Sequence, residues 1–292
     1  MTLRAALALL LVLGPLPAMA QAVTPPLRPE ARQAVAAEAT AEDARAVYEA
    51  LLLPGIIDVM AQEGAAHGDD LAEALFPRVV PAGWPEVVRA IYDPARMEAE
   101  VLAALEESLA GEEVAAILSF VTAEPGRSLV ARELAAREAF LDPEIEQQAK
   151  EAAAVAMAEG SPRLELLRRY AEVNDLVETN VVGALNTNAA YVLGLMDGHA
   201  LSPDMTEGDV PADVWAQEPQ IRADTTEWVH AYLLDAYEGA SDADIEAMIA
   251  FSETEAGQAM NRALFDAFDG AFVRISRELG RAAARYMTTE EL

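Results

Sequence analysis

Cysteine is absent from the 292 residues. Its absence excludes disulfide scaffolds, thiol nucleophiles, thiolate metal sites and a lipidated N-terminal Cys. Lysine is nearly absent too: Lys150 is the only one, and every other basic residue is Arg. Positive charge as a whole is scarce, with 20 Lys and Arg against 50 Asp and Glu and a formal net charge of −30. Nucleic acid and anionic lipid surfaces would repel such a chain, so neither is expected as a partner. Aromatic residues make up only 6%, yet 53% of the chain is hydrophobic. That is too much for a disordered acidic chain and enough for one large domain or two small ones. The shortage of lysine reads as a GC-rich genome. The acidity reads as adaptation to a salty medium, with a cationic ligand or basic partner as the competing explanation.

Long uncharged apolar runs are also missing beyond the first residues, so no later segment reaches the roughly 20 residues needed to span a bilayer. At the start, Arg4 precedes an unbroken apolar run from Ala5 to Leu13. Pro15 and Pro17 follow, then Ala18-Met19-Ala20. This is the pattern of a cleavable export signal, residues 1–20, with cleavage after Ala20 and Ala22 as the alternative. The expected location is the periplasm of a Gram-negative bacterium, with no membrane insertion after cleavage. A Pro- and Ala-rich flexible leader follows over 21–41.

Helical spacing dominates the remainder. Tyr48, Leu51, Leu52, Ile56, Val59 and Met60 recur at three- and four-residue intervals around a break at Pro54-Gly55. Asp69-Asp70 reads as a helix start for Leu71, Leu75 and Phe76. Trp84 to Tyr92 forms a short amphipathic piece. Asp93-Pro94 caps a longer helix through Met97, Val101 and Leu105. Gly160-Ser161-Pro162 closes one helix and opens the next, and Ser241 with Asp244 is a capping-box start. No β-branched alternation with turn dipeptides appears, so the fold is expected to be all-α.

The most specific signal is internal. Val114, Ile117, Leu118, Phe120, Glu124, Gly126 and Leu129 match Ile245, Met248, Ile249, Phe251, Glu255, Gly257 and Met260 at a constant offset of 131 residues. Met97 and Val101 match Trp228 and Tyr232 at the same offset. The expected architecture is a helical bundle of two related halves, 42–160 and 161–288, with a tail over 289–292. Each half would bury an apolar stripe that it could not bury alone. Both copies resemble the domain-of-unknown-function 2059 family of exported bacterial proteins, marked by Phe-Tyr-x-Ser/Thr-Pro-x-Gly between two helices. Phe120 and Phe251 match its Phe, Thr254 its Ser/Thr, and Gly126 and Gly257 its Gly. Val121 and Ser252 stand where the family has Tyr, Ala123 where it has Ser/Thr, and Glu124 and Glu255 where it has Pro. The resemblance implies an all-helical exported module and brings no activity and no catalytic residues.

Candidate chemistry is sparse. His67 and His199 fall in expected loops and His230 stands alone, so no two imidazoles share a helix face at the spacing zinc requires. No metal or cofactor site is expected. There is no G-x-S-x-G elbow, S-x-x-K, phosphate-binding Gly loop or calcium loop, and no catalytic residue is assigned. The main polar anomaly is a seam after Pro162: Leu167, Tyr170, Asn174, Val177, Val181, Ala184, Asn188, Tyr191 and Leu195 alternate spacings of three and four without a slip. A buried amide without a partner costs about 1–3 kcal/mol, so these Asn must pair across helices or face a wet cavity. One reading is register-fixing hydrogen bonds. The other is a ligand groove lined by Asn174, Asn188 and Tyr191, with Trp228 and Tyr232 as its aromatic wall alongside Trp215 and Tyr237. The last helix carries Met260, Leu264, Phe268, Phe272, Ile275, Leu279 and Tyr286 on one stripe, expected to pack in the core.

The functional expectation is a non-catalytic module that binds a small ligand or another periplasmic protein. The alternative is a hydrolase using carboxylates in a cleft between the halves. A purely structural protein is the third class.

Overall fold

A computed structural model describes residues 39–76, 78–202 and 204–290. The export signal and nearly all of the leader lie outside these residues, as do Glu291 and Leu292 of the tail. The described chain is all-α, with no strand among the described residues. In chain order come α1 (Ala41–Ala50), α2 (Leu53–Leu75), α3 (Trp84–Ile91), α4 (Pro94–Ser108), α5 (Gly111–Val121), α6 (Gly126–Ala139) and α7 (Pro143–Ala158). Then follow α8 (Pro162–Val173), α9 (Leu176–Asp197), α10 (Val210–Trp215), α11 (Glu218–Ala236), α12 (Asp242–Ser252) and α13 (Glu255–Glu290). The 36 residues of α13 make a rod of about 54 Å. No single helix among the described residues is long and apolar enough to cross a membrane.

Caps set most helix starts, because the first turn leaves backbone N–H groups without partners. Asp93 accepts from the Ala95 amide at 2.8 Å, Asp142 from Glu144 at 2.9 Å, and Ser161 from Leu164 at 3.4 Å. Ser241 and Asp244 close a reciprocal box, and Thr40 does the same with Asp43. At the position 131 residues before Ser241, the Ala110 amide donates to Glu113 at 2.8 Å.

Three local expectations are corrected. The first break falls at Leu51-Leu52, not at Pro54-Gly55; Leu52 adopts φ 54 and Pro54 sits in the first turn of α2. Asp69-Asp70 does not start a helix but lies inside α2, and His67 is helical rather than in a loop. The seam after Pro162 is two helices. Asn174 turns its amide back onto the Tyr170 carbonyl at 2.9 Å and Asp175 takes φ 50, which ends α8 and re-aims the chain into α9. Short polar side chains compete with the helical ladder in this way, and the apolar spacing alone does not register it.

The packing has a reciprocal form. Helix α1 lies on α4 and α5, while α8 lies on α11 and α12. Helix α2 packs on α3 and α4, while α9 packs on α10 and α11. Across the middle, α13 packs on α4 and α5, while α6 and α7 pack on α11. Where these exchanges meet, the Phe120 and Phe251 rings stack with centroids 4.2 Å apart and planes 4° from parallel. Each ring sits in the same kind of corner. A Cβ on Gly126 would come within 2.3 Å of the Phe120 carbonyl, and one on Gly257 within 2.2 Å of the Phe251 carbonyl. Only glycine permits the chain to turn back over the phenylalanine backbone so closely.

One continuous core joins these helices, with Trp84, Tyr48, Tyr237, Phe268 and Met97 among its fully buried side chains. The α13 stripe is part of it: Met260, Leu264, Phe268, Phe272, Ile275 and Leu279 are buried, with Tyr286 partly so. A smaller cluster of Val181, Leu185, Val210 and Val214 fixes α10 on α9.

Candidate functional site

The closest helix crossing in the molecule builds the site. Gly194 and Gly198 are four apart on α9, and Gly280 and Ala284 four apart on α13, so each pair lies on one helix face. A Cβ on Gly194 would meet the Arg277 carbonyl at 2.3 Å, one on Gly280 the Tyr191 carbonyl at 2.3 Å, and one on Gly198 the Ala284 Cβ at 2.3 Å. The small residues let the two backbones touch, which carries the end of α9 onto a row of arginines on α13. Asp197 Oδ2 accepts from Arg277 Nε at 2.8 Å and from Arg281 Nε at 2.7 Å. Hydrogen bonding from Arg277, with Arg281 adding to it against a smaller opposing effect of burial, holds the Asp197 carboxyl down at about 2.

Beside this crossing opens a cleft of about 430 Å³ lined by Ile91, Asp197, Gly198, Glu278, Arg281 and Arg285. Ile91 comes from α3 and the others from α9 and α13, so the cleft lies between the two parts of the chain. Its floor is an ion-pair lattice. Arg96 donates to both Glu278 oxygens at 2.8 and 3.0 Å. Arg274 binds Glu100 at 2.9 Å through Nε and the Ile91 carbonyl at 3.2 Å through Nη1. The Arg274 Nη2 atom is buried without a hydrogen-bond partner among the described residues.

A second polar cluster lies inside the bundle. The Glu133 carboxylate on α6 accepts from the hydroxyls of Tyr237 and Tyr170, while the Tyr232 hydroxyl donates to the Glu133 carbonyl at 2.9 Å. Burial pushes the carboxyl up to about 7, against the opposing pull of the two hydroxyls. Nearby, Arg137 pairs with Glu63 at 2.8 Å and lies 5.5 Å over the Trp228 ring. Burial raises the Glu63 carboxyl despite the guanidinium beside it.

The five expected ligand residues are distributed over three places. Asn174 is buried at the end of α8 and accepts a hydrogen bond from Asn261 of α13. Trp228 and Tyr232 are buried on α11, stacked on each other at 5.0 Å and met edge-on by Phe140 at 6.1 and 5.9 Å. Asn188 and Tyr191 lie half-buried on α9, and burial pushes the Tyr191 hydroxyl up to about 12. Neither Asn188 nor Tyr191 lines the cleft, which opens two turns further along the same helix. Of the proposed aromatic wall, Trp215 is 63% exposed and Tyr237 belongs to the core. His230 is buried on α11 and His199 follows α9 with φ 59. Among the described residues no three His, Asp or Glu side chains converge as a metal ion would require.

The signals for the cleft were present but unread. Arg277, Arg281 and Arg285 recur at i, i+4 and i+8, and the paired small residues Gly194/Gly198 and Gly280/Ala284 mark the crossing that faces them. Glu133 offers no such signal, being one acid among 50 Asp and Glu.

No family model matches the chain, and neither a curated protein nor a solved structure matches it.

Proposed function

We propose that this chain is an exported helical module, built from two copies of one ancestral unit, that binds a ligand without catalysis in the cleft between them. The observation that carries the reading is the cleft itself: about 430 Å³, within the size range of small-molecule pockets, where α3 of one half faces α9 and α13 of the other. Polar groups converge there from three helices onto an aliphatic edge.

Duplication is supported by more than the seven-residue motif. The bounds of α5 and α12 differ by the same 131 residues at both ends, Gly111 with Asp242 and Val121 with Ser252. Each half opens with two helices separated by a residue of positive φ, Leu52 in one and Asp175 in the other. The exchange of α13 and of α6–α7 onto the opposite half, with Phe120 on Phe251, is what a pseudo-twofold relation between copies produces. The likeness of Phe120, Gly126, Phe251 and Gly257 to the domain-of-unknown-function 2059 motif belongs to the same reading. Arg4, the Ala5–Leu13 run and Ala18-Met19-Ala20 support export.

One observation favours the competing hydrolase: Glu133, at about 7, has the pKa of a general acid. Its carboxylate is already engaged by Tyr170 and Tyr237, and it does not line the cleft. A thermal-shift screen of the chain lacking residues 1–20, against small metabolites and divalent ions, tests the binding reading. A saturable, ligand-linked rise in Tm that Arg285→Gln abolishes supports it. A screen without any shift contradicts it, and hydrolysis lost in Glu133→Gln would establish the competitor.

A further inference from the structure

We infer that the cleft receives a small organic oxyanion, a short carboxylate or phosphate compound, gripped by Arg281 and Arg285 with its apolar body against Ile91. The inference rests on the proposed binding function and names the chemistry of that site.

Charge distribution is the first argument. In a chain of net charge −30, random placement would surround any cleft with carboxylates. Here Arg274, Arg277, Arg281 and Arg285 occupy successive turns of α13, and Arg96 joins them from α4. The carboxylates facing them are Glu100, Asp197 and Glu278, with Glu207 near Arg277. Guanidinium groups outnumber carboxylates, so this is a cationic island on an anionic surface. An anion that the rest of the molecule repels is steered to it.

Unequal sharing is the second. Asp197 serves two arginines, and Glu278 serves Arg96 and Arg274. The donors are less fully used than the acceptors. Arg281 engages Asp197 through Nε only, leaving its terminal nitrogens without a partner among the described residues. Behind Ile91 and Glu278, the buried Arg274 Nη2 is likewise unpartnered. A planar guanidinium presents paired N–H groups that match the two oxygens of a carboxylate or phosphate.

Placement is the third. The cleft residue Gly198 lies so close to α13 that its Cβ would strike Ala284. The backbone crossing therefore holds Asp197 between Arg277 and Arg281, orienting the arginine row before any ligand arrives. Ile91 closes the side opposite the arginines with aliphatic surface, which suits a ligand charged at one end and carbon-rich at the other.

The test is a calorimetric and ¹H–¹⁵N NMR titration of the chain lacking residues 1–20, at low ionic strength. The probes are succinate, inorganic phosphate and, as the neutral analogue of the first, succinamide. Saturable binding of succinate, phosphate or both is expected, with the largest shifts at the Gly198 and Ile91 amides and none with succinamide. Preference between the two anions identifies which oxyanion the site takes. Arg281→Gln with Arg285→Gln should weaken binding by about tenfold or more, while Arg168→Gln, on the exposed face of α8, should leave it unchanged. Because resonance mapping on the unaltered chain stands alone, poor folding of the double variant does not block the test. Equal binding of succinamide overturns the anion inference but keeps the cleft as a binding site. Shifts scattered over the surface, or no shift with any probe, overturn the inference; the broader screen above decides whether the binding reading falls with it.

Discussion

Replacing Glu133 by Gln removes one proton-binding group and keeps the outline of the side chain. Burial has pushed this carboxyl from an ordinary 4.5 to about 7, because enclosure between α6, α8 and α11 penalises its charge more than the hydroxyls of Tyr237 and Tyr170 favour it. Between those two values the folded chain holds a proton that the unfolded chain has released. The associated stability is complete below about pH 4.5 and is lost as the pH rises through 7. At about 1.4 kcal/mol per pH unit the bound is about 3 kcal/mol, and solvent reaching the half-buried residue reduces the expected effect to about 1–2 kcal/mol. Urea unfolding of the parent and of Glu133→Gln, followed by far-ultraviolet circular dichroism from about pH 5 to about pH 8, measures it. Subtracting the two curves cancels every other titrating group. The difference should move in favour of the variant by about 1–2 kcal/mol across that range, with both proteins close together at the acid end. Parallel stability profiles would refute the reasoning and place the Glu133 carboxyl in its ordinary range.

Other substitutions probe the contacts that hold the bundle. Gly280→Ala should lower stability by about 1–3 kcal/mol in chemical denaturation, because its Cβ has 2.3 Å to the Tyr191 carbonyl and α9 must move away from α13. A double-mutant cycle on Phe120→Ala and Phe251→Ala should return a coupling of about 0.5–1.5 kcal/mol; a zero coupling would mean that the rings do not meet. Asn174→Ala leaves the Asn261 amide buried without its acceptor and should cost about 1–3 kcal/mol, whereas Asn188→Ala, half-buried on α9, should change the urea midpoint little.

The parts of the fold that were readable from sequence are those decided locally. Asp93-Pro94, Gly160-Ser161-Pro162 and Ser241 with Asp244 act within one helical turn, and all three start helices where their chemistry says they should. The breaks at Leu52 and Asp175 are different. No glycine marks either one, and the left-handed backbone there is imposed by packing of the flanking helices rather than by a residue's own preference. The apolar seam from Leu167 to Leu195 kept its spacing through the second break because both helices present apolar faces to the same core.

The expected ligand residues show the same division. Spacing identified Asn174 as a buried amide in need of a partner, but Asn261, 87 residues away, was visible only in three dimensions. Trp228 and Tyr232 are aromatic neighbours at i, i+4, a pattern that is the same for a groove wall and for a core stack against Phe140. Arginine spacing on α13 could have been read as an ion-pair row. That the row faces a glycine crossing and a cleft depends on how α9 and α13 dock, which no local motif encodes.

Native-state hydrogen exchange of Phe251→Ala tests the interdependence of the two halves most directly. If each half shelters the apolar faces of the other, removing this ring should speed amide exchange in α4–α6 as much as in α11–α13, because both open in one cooperative step. Faster exchange confined to residues 161–288, with α4–α6 unchanged, would show two independent units and contradict the account.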